Sequence, residues 1–201
     1  MCVEEYTIEK SSLPMEETDE QLIANYKAGN EEAFVVLLDR YMKPLYGFAL
    51  QMVRESEVAE DIVQEAFIKV WKHLDRFDQN KSFKTWIFAI TKNTAFDSLK
   101  KRKTLPFSLF QNEEGESVLE NISDGSPHPE EILDREATAH DLEEKLATLS
   151  PAYQILLHLH YRVGFSLHEV SHILGAPYNT IKSRHKRALE GLRKTFPEEC
   201  I

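Results

Sequence analysis

The chain has 201 residues, 42% hydrophobic and 29% charged, enough apolar material for the cores of one domain or two small ones. No window approaches the roughly 18 apolar residues of a membrane span, and the opening MCVEEYTIEK lacks the basic start and apolar run of a signal peptide. Taken whole, the net charge of −10 argues against a nucleic-acid partner, while Cys2 and Cys200, at opposite extremes, have no metal-like spacing and read as free thiols in a reducing cytosol.

Glycine is scarce and few stretches alternate apolar with polar residues, so helical periodicity is expected to dominate. Thr18 with Gln21 forms a capping box for a first helix that Gly29 can close. Asn30 can cap a second, through Phe34, Leu37, Leu38 and Tyr41, and Pro44 suits the first turn of a third, carrying Leu45, Phe48, Ala49 and Met52. Ser56 can cap a fourth, where Ile62, Ala66, Val70 and Leu74 repeat at helical spacing. After the turn-like Asp78-Gln79-Asn80, a fifth helix runs from about Ser82 to Lys103, apolar first and basic last. Residues 18–103 are therefore expected to form one all-helical domain, preceded by an extension, 1–17.

Residues 104–134 change character. LPFSLFQNEEGESVLENISDGSPHPEEILD is acidic and rich in Pro and Gly, which predicts a flexible interdomain linker with an r.m.s. span of about 30 Å. Its cluster Leu105, Phe107, Leu109 and Phe110 suits either docking on a partner or local packing. A second domain is expected over 135–196, followed by a short tail, 197–201. There Ser150 caps a helix with Pro151 in its first turn, AYQILLHLHY follows, and the helix ends near Gly164. Ser166 with Glu169 makes another capping box, for a short helix that stops at Gly175. Pro177 introduces a longer basic helix through Ile181, Ala188, Leu192 and Phe196. Short helix, glycine turn and longer basic helix together read as a helix-turn-helix.

The charge distribution revises the whole-chain argument. Lys81, Lys84, Lys92, Lys100, Lys101, Arg102 and Lys103 are opposed only by Asp97, and Lys182, Arg184, Lys186, Arg187, Arg193 and Lys194 only by Glu190. The acids gather elsewhere, notably in the linker. Two basic stripes joined by an acidic strap are suited to DNA.

One stretch points to different chemistry. His168-Glu169-Val170-Ser171-His172 matches the H-E-x-x-H pattern of zinc hydrolases. That chemistry needs a third ligand and a Glu free to act as base. Here Glu169 stands at the third position after the capping Ser166, where its expected partner is a backbone amide, and the helix ends soon after His172. The expectation is a scaffold helix, with no catalytic residues, no resident metal and no cofactor.

AEDIVQEAFIKVWKHLDRF followed by SFKTWIFAITKNTAFDSLKKRK resembles region two of bacterial extracytoplasmic-function (ECF, group IV) sigma factors, and LATLSPAYQILLHLHY with SLHEVSHILGAPYNTIKSRHKRALEGLRK resembles their region four. The resemblance spans nearly all of 18–196, in the right order. It implies a non-enzymatic, cytoplasmic subunit that binds core RNA polymerase through the β′ clamp and β flap, reads promoter DNA, and helps open it. It also implies control by an anti-sigma factor, with no direct membrane insertion. Carried over by position, Asp61, Gln64 and Glu65 would bind the polymerase. Lys84, Trp86, Phe88, Lys92, Asn93, Lys100 and Lys101 would contact the −10 element, and Lys182, Ser183, Arg184, Lys186 and Arg187 the −35 element. Trp86 and Phe88 can equally be core residues. The chain departs from the family pattern at Ala89, where many relatives carry arginine, at His185, usually apolar, and at Tyr178-Asn179, usually a small pair. A stand-alone helix-turn-helix regulator would explain the second domain but not the first.

Overall fold

The computed structural model describes residues 17–78, 80–102 and 137–196. The linker with its apolar cluster, residues 1–16 of the extension, the tail 197–201, and both cysteines lie outside the described residues. Every regular element among the described residues is helical.

Local chemistry sets the first helices. In α1 (Asp19–Lys27) the Thr18 hydroxyl and Gln21 side chain exchange bonds with each other's backbone amides, which completes the expected capping box. Asn30 caps α2 (Glu31–Val53) by accepting from the Glu32 amide at 3.1 Å. Pro44 does not open a third helix, contrary to expectation. It sits inside α2, which runs unbroken for 23 residues. Leu37, Tyr41, Leu45 and Phe48 all face the core across the proline. Burying four large side chains at about 1.5–3 kcal/mol each outweighs the roughly 3 kcal/mol that an interior proline costs. The next cap also differs by one residue. α3 (Ser56–His73) begins at Ser56 with Glu55 in the cap position and no side-chain cap bond. Arg54 between the two helices adopts left-handed backbone at φ 62°, a conformation that costs a non-glycine residue about 1–2 kcal/mol. A short 3₁₀ turn (Leu74–Arg76) and a turn closed by the Asp78 carboxylate on the Asn80 amide lead into α4 (Phe83–Lys101), which Ser82 caps by accepting from the Thr85 amide.

These helices share one core built on Leu22, Leu45, Phe48, Ile62, Val70 and Ile87. α1 is fastened to α2 by Asp19, whose carboxylate accepts from the Tyr41 hydroxyl and, at 2.5 Å, from the Arg40 guanidinium. Burial first, and then this bond to Asp19, push the Tyr41 hydroxyl well above its ordinary pKa, so it stays a neutral donor.

The second domain comprises α5 (Ala137–Ala147), α6 (Pro151–Leu157) continuing into a π-helical turn (His158–Arg162), α7 (Leu167–Leu174) and α8 (Tyr178–Arg193). Pro151 stands at the start of α6 as expected, but the Ser150 side chain makes no cap bond. α7 has the Ser166–Glu169 capping box and ends on Gly175 at φ +69°, where a side chain would be strained. Ile155, Leu159, Phe165, Val170, Ile173, Ile181 and Ala188 close the core. The two domains are not separate bodies. α7 lies against α4 and α6 against α2, with His158 stacked at 6.4 Å on Phe48.

Two measurements test this packing. Tyr41→Phe removes a buried bond to a carboxylate and should cost about 1.5–3 kcal/mol, lowering the urea midpoint without changing the slope. Burial, and then the nearby Arg162 cation, hold His158 down at about 4, from an ordinary 6.5. A histidine with a depressed folded-state pKa contributes stability that is complete above pH 6.5 and falls as pH drops towards 4. Between pH 6.5 and 5 the wild-type urea midpoint should therefore fall more steeply than that of His158→Gln.

Candidate polymerase and nucleic-acid interfaces

α3 turns Ile62, Val63, Ala66, Phe67 and Val70 inward. The i, i+3/i+4 geometry then sets Asp61, Gln64 and Glu65 together on the solvent side, where all three are exposed. Sequence reasoning missed the continuation of this stripe. Ile68 and Trp71 are 51% and 55% exposed. The available signal was that both fall out of register with the Ile62, Ala66 and Val70 repeat, so an amphipathic helix cannot bury them. Glu65 forms an exposed ion pair with Lys69 at 2.9 Å, and Lys69 also donates to the Thr94 hydroxyl at 3.0 Å, linking α3 to α4.

α4 divides its candidate residues between two surroundings. Asn93, Lys100 and Lys101 are exposed, and Lys100, Lys101, Asp97 and Glu65 line a shallow depression between α4 and α3. Arg102 is occupied by an ion pair with Glu55 at 2.7 Å. Trp86 is half-buried against Phe77 and Phe83, at ring distances of 4.8 and 5.8 Å, and so serves the core. Lys84, Phe88 and Lys92 face the second domain. Lys84 Nζ donates to the Val163 main-chain oxygen at 2.7 Å and lies 4.6 Å from the Phe165 ring. Phe88 is fully buried between Phe48 and Phe165, at ring distances of 5.3 and 5.0 Å, so in this arrangement it offers no face to a base. Its sequence position put it beside the lysines on α4; the packing of a turn 77 residues further along the chain covers it. Lys92 is half-buried, 5.5 Å from the Phe96 ring, and burial lowers its pKa.

In the second domain α7, the turn at Gly175 and α8 build the helix-turn-helix. Ile181 and Ala188 are fully buried, which forces the residues between them outward. Lys182, Ser183, Lys186 and Arg187 are exposed and Arg184 is half-buried. The Ser183 hydroxyl donates to the Thr180 main-chain oxygen at 3.0 Å and keeps its lone pairs for an incoming donor. His185 turns away from this face. Its Nε2 lies 3.1 Å from the Tyr161 hydroxyl, its ring is edge-on to His160, and burial and then His160 lower its pKa. His185 is thus a stacked imidazole whose surroundings favour its neutral form.

The histidine pair His168 and His172 is 4.7 Å apart, ring to ring. Glu169 between them accepts the Ser166 amide at 2.9 Å, the Ser166 hydroxyl at 2.8 Å and the Thr85 hydroxyl at 3.3 Å. Burial raises its pKa, but these hydrogen bonds and the charge of Lys84 outweigh that and leave it below the ordinary value. A carboxylate so engaged is a cap, not a general base. Among the described residues no three His, Cys, Asp or Glu side chains are grouped to hold a metal ion.

Residues 37–104 match the Sigma-70 region 2 family and residues 146–194 match Sigma-70, region 4. The chain is 31% identical over 182 residues to the ECF RNA polymerase sigma factor SigW of Bacillus subtilis, covering 90% of this chain and 97% of that one. Among solved structures it is similar to the sigma factor RpoE, determined with the anti-sigma factor NepR from Bartonella quintana, at 28% identity and a TM-score of 0.57, covering 81% and 95% of the two chains. It shares the fold of CnrH, determined with the cytosolic domain of CnrY, at 23% identity and a TM-score of 0.59, over 88% and 95%. Two sigma regions in order on two helical domains, and a relative matched almost end to end, mean that the chain belongs to the extracytoplasmic-function family of RNA polymerase sigma factors.

Proposed function

We propose that this chain joins core RNA polymerase, directs it to promoters by reading the −35 element with α8 and the −10 element with α4, and shifts the −10 duplex towards its open state by holding unstacked bases. The observation that carries this reading is the division of α8: its core contacts Ile181 and Ala188 leave Lys182, Ser183, Arg184, Lys186 and Arg187 as a basic outer face of the size and shape that enters a major groove. On α4, exposed Lys100 and Lys101 suit phosphates, Asn93 offers a base edge both a donor and an acceptor, and the half-buried Trp86 is an aromatic group beside them. No bond is made or broken by the protein; its work is differential binding of closed and open DNA.

The α3 stripe is the proposed contact with the β′ clamp, with the second domain on the β flap. Asp61, Gln64 and Glu65 supply a polar, acidic rim, and Ile68 with Trp71 an apolar centre, which is the usual anatomy of a protein interface. The similar sigma factor RpoE, determined with the anti-sigma factor NepR, supports control by an anti-sigma factor, which would compete for the same surfaces in the cytosol. Among the described residues no helix is long and apolar enough to cross a membrane.

Purified chain and core polymerase together should yield specific transcripts from a broad promoter library, and sequencing the bound DNA would define both elements. A stand-alone regulator would bind DNA yet fail to co-purify with core enzyme. Trp71→Ala should weaken core binding by about 2 kcal/mol or more, as truncation of a central aromatic anchor does, while leaving the denaturation midpoint unchanged; an unaltered affinity for core would remove Trp71 from the interface. Arg184→Ala and Arg187→Ala should each weaken −35 binding, by about 1–3 kcal/mol with relaxed sequence preference where the arginine reads a base, and with a shallower salt slope where it grips a phosphate.

A further inference from the structure

His168 and His172 are the part of the H-E-x-x-H stretch that the helix cap leaves unexplained. α7 buries Val170, Ile173 and Leu174. Both histidines lie on the side away from that core and are exposed. Their rings are 4.7 Å apart at 76°, and among the described residues neither imidazole has a hydrogen-bond partner. The pair His160 and His185 is committed elsewhere: His160 Nδ1 is bonded to the Phe165 main-chain oxygen at 2.6 Å, and His185 Nε2 to the Tyr161 hydroxyl at 3.1 Å.

The spacing of His168 and His172 suits a shared metal ion. Histidines four residues apart on a helix stand one above the other on the same face. With metal–nitrogen bonds of about 2.1 Å, two imidazoles in adjacent coordination positions have ring centres roughly 4.5–5 Å apart. The exposed rings therefore need only rotate about their own bonds to aim one nitrogen each at a common point. The helix holds the pair in place, being capped at its start by Ser166 and Glu169 and closed at its end by Gly175. Imidazole is a ligand for nickel, copper and zinc, where magnesium and calcium take oxygen. Two imidazoles do not enclose an ion as a structural site does; they leave positions open to ligands from outside.

The next helix shows what stands outside. The His168 ring is 6.1 Å from that of Tyr178, the first residue of α8, and Tyr178 is 44% exposed. In a helix-turn-helix the start of the second helix enters the major groove while the first helix crosses the backbone. An ion on His168 and His172 thus sits beside the end of α8 that meets DNA, on the helix that passes the phosphates. α7 carries no lysine or arginine of its own, and its one carboxylate is Glu169. A divalent ion would give this helix the positive charge it lacks, with open positions that a phosphate oxygen can fill.

We propose that His168 and His172 chelate a divalent ion of the nickel, copper and zinc group, and that this ion ties α7 to a backbone phosphate of the −35 element. The bridge rests on the reading of α8 as the −35 recognition helix.

The test uses the untagged full chain with its thiols blocked, and the variants His168→Gln and His172→Gln. Glutamine is a good helix former at an exposed position, so both variants should keep the wild-type urea midpoint. Calorimetric titration with nickel chloride should show a nickel site in the wild-type chain that either substitution weakens about tenfold or more, because the second imidazole of a chelate acts at the effective concentration of a tethered ligand. Holoenzyme is then measured on a promoter fragment carrying the −35 element, with and without enough nickel to fill that site. Nickel should tighten binding by wild-type holoenzyme about fivefold or more, and by neither variant. Nickel binding that is absent, or that survives both substitutions, overturns the proposal. Nickel held by the two histidines without a gain in promoter binding overturns the bridge, provided Arg184→Ala or Arg187→Ala weakens binding to the same fragment. Should neither arginine matter, the −35 reading of α8 falls and the bridge with it, while the titration still decides the metal site.

Discussion

α4 is enclosed on three sides, by α2, α3 and α7, and the other functional surfaces take their positions from it. Phe83, Ile87, Phe88, Thr91, Thr94 and Ala95 are all buried, too many for a helix with one apolar stripe. Its two buried threonines donate their hydroxyls locally, to the Ile87 and Ile90 main-chain oxygens at 2.9 and 3.0 Å, and Thr94 also accepts from Lys69 of α3. The remaining polar groups can emerge only along the seams between neighbours. One seam, beside α3, carries Asn93, Lys100 and Lys101; the other, beside α7, carries Lys84 and Lys92. The packing that gives the first domain its core thus also decides which cations reach water and which meet protein.

The chain's acidity is no obstacle to DNA, because surface charges more than about 8 Å apart are largely screened at physiological ionic strength. What a phosphate meets in the proposed complex is the local set: Lys182, Lys186 and Arg187 on α8, or Lys100 and Lys101 at the end of α4. One acid of α3, Glu65, borders the same depression as Lys100 and Lys101. Glu65 is paired with Lys69 on a solvated surface, where such a pair contributes about 1 kcal/mol or less. It can therefore be exchanged for an intermolecular partner with little loss.

Features fixed by neighbours in sequence were legible. The Thr18–Gln21 and Ser166–Glu169 boxes, the Gly175 stop and the outward set between Ile181 and Ala188 all follow from residues within a turn or two of each other. That locality also exposed the H-E-x-x-H resemblance as a cap, because Ser166 lies only three residues from Glu169. Pro44 was misread for the converse reason: the local rule ends a helix there, but four core residues drawn from a whole bundle override it. The cover over Phe88 was not legible at all. Its partner Phe165 lies beyond an acidic stretch that breaks every periodic signal, and no spacing rule connects them. Ile68 and Trp71 stand between these cases, visible as apolar residues out of register but without a partner in the sequence to explain them.

The magnitudes decide what such a cover accomplishes. The cross-domain polar bonds of Lys84, Thr85, Gln51 and Arg54 are worth about 0.5–1.5 kcal/mol each, and the Phe88–Phe165 and Phe48–His158 ring contacts about the same per pair beyond their burial. Summed, they reach a few kcal/mol, the size needed to hold a two-state equilibrium largely on one side. Stacking of a single base returns about 1–3 kcal/mol, so a stray unpaired nucleotide does not open the domains.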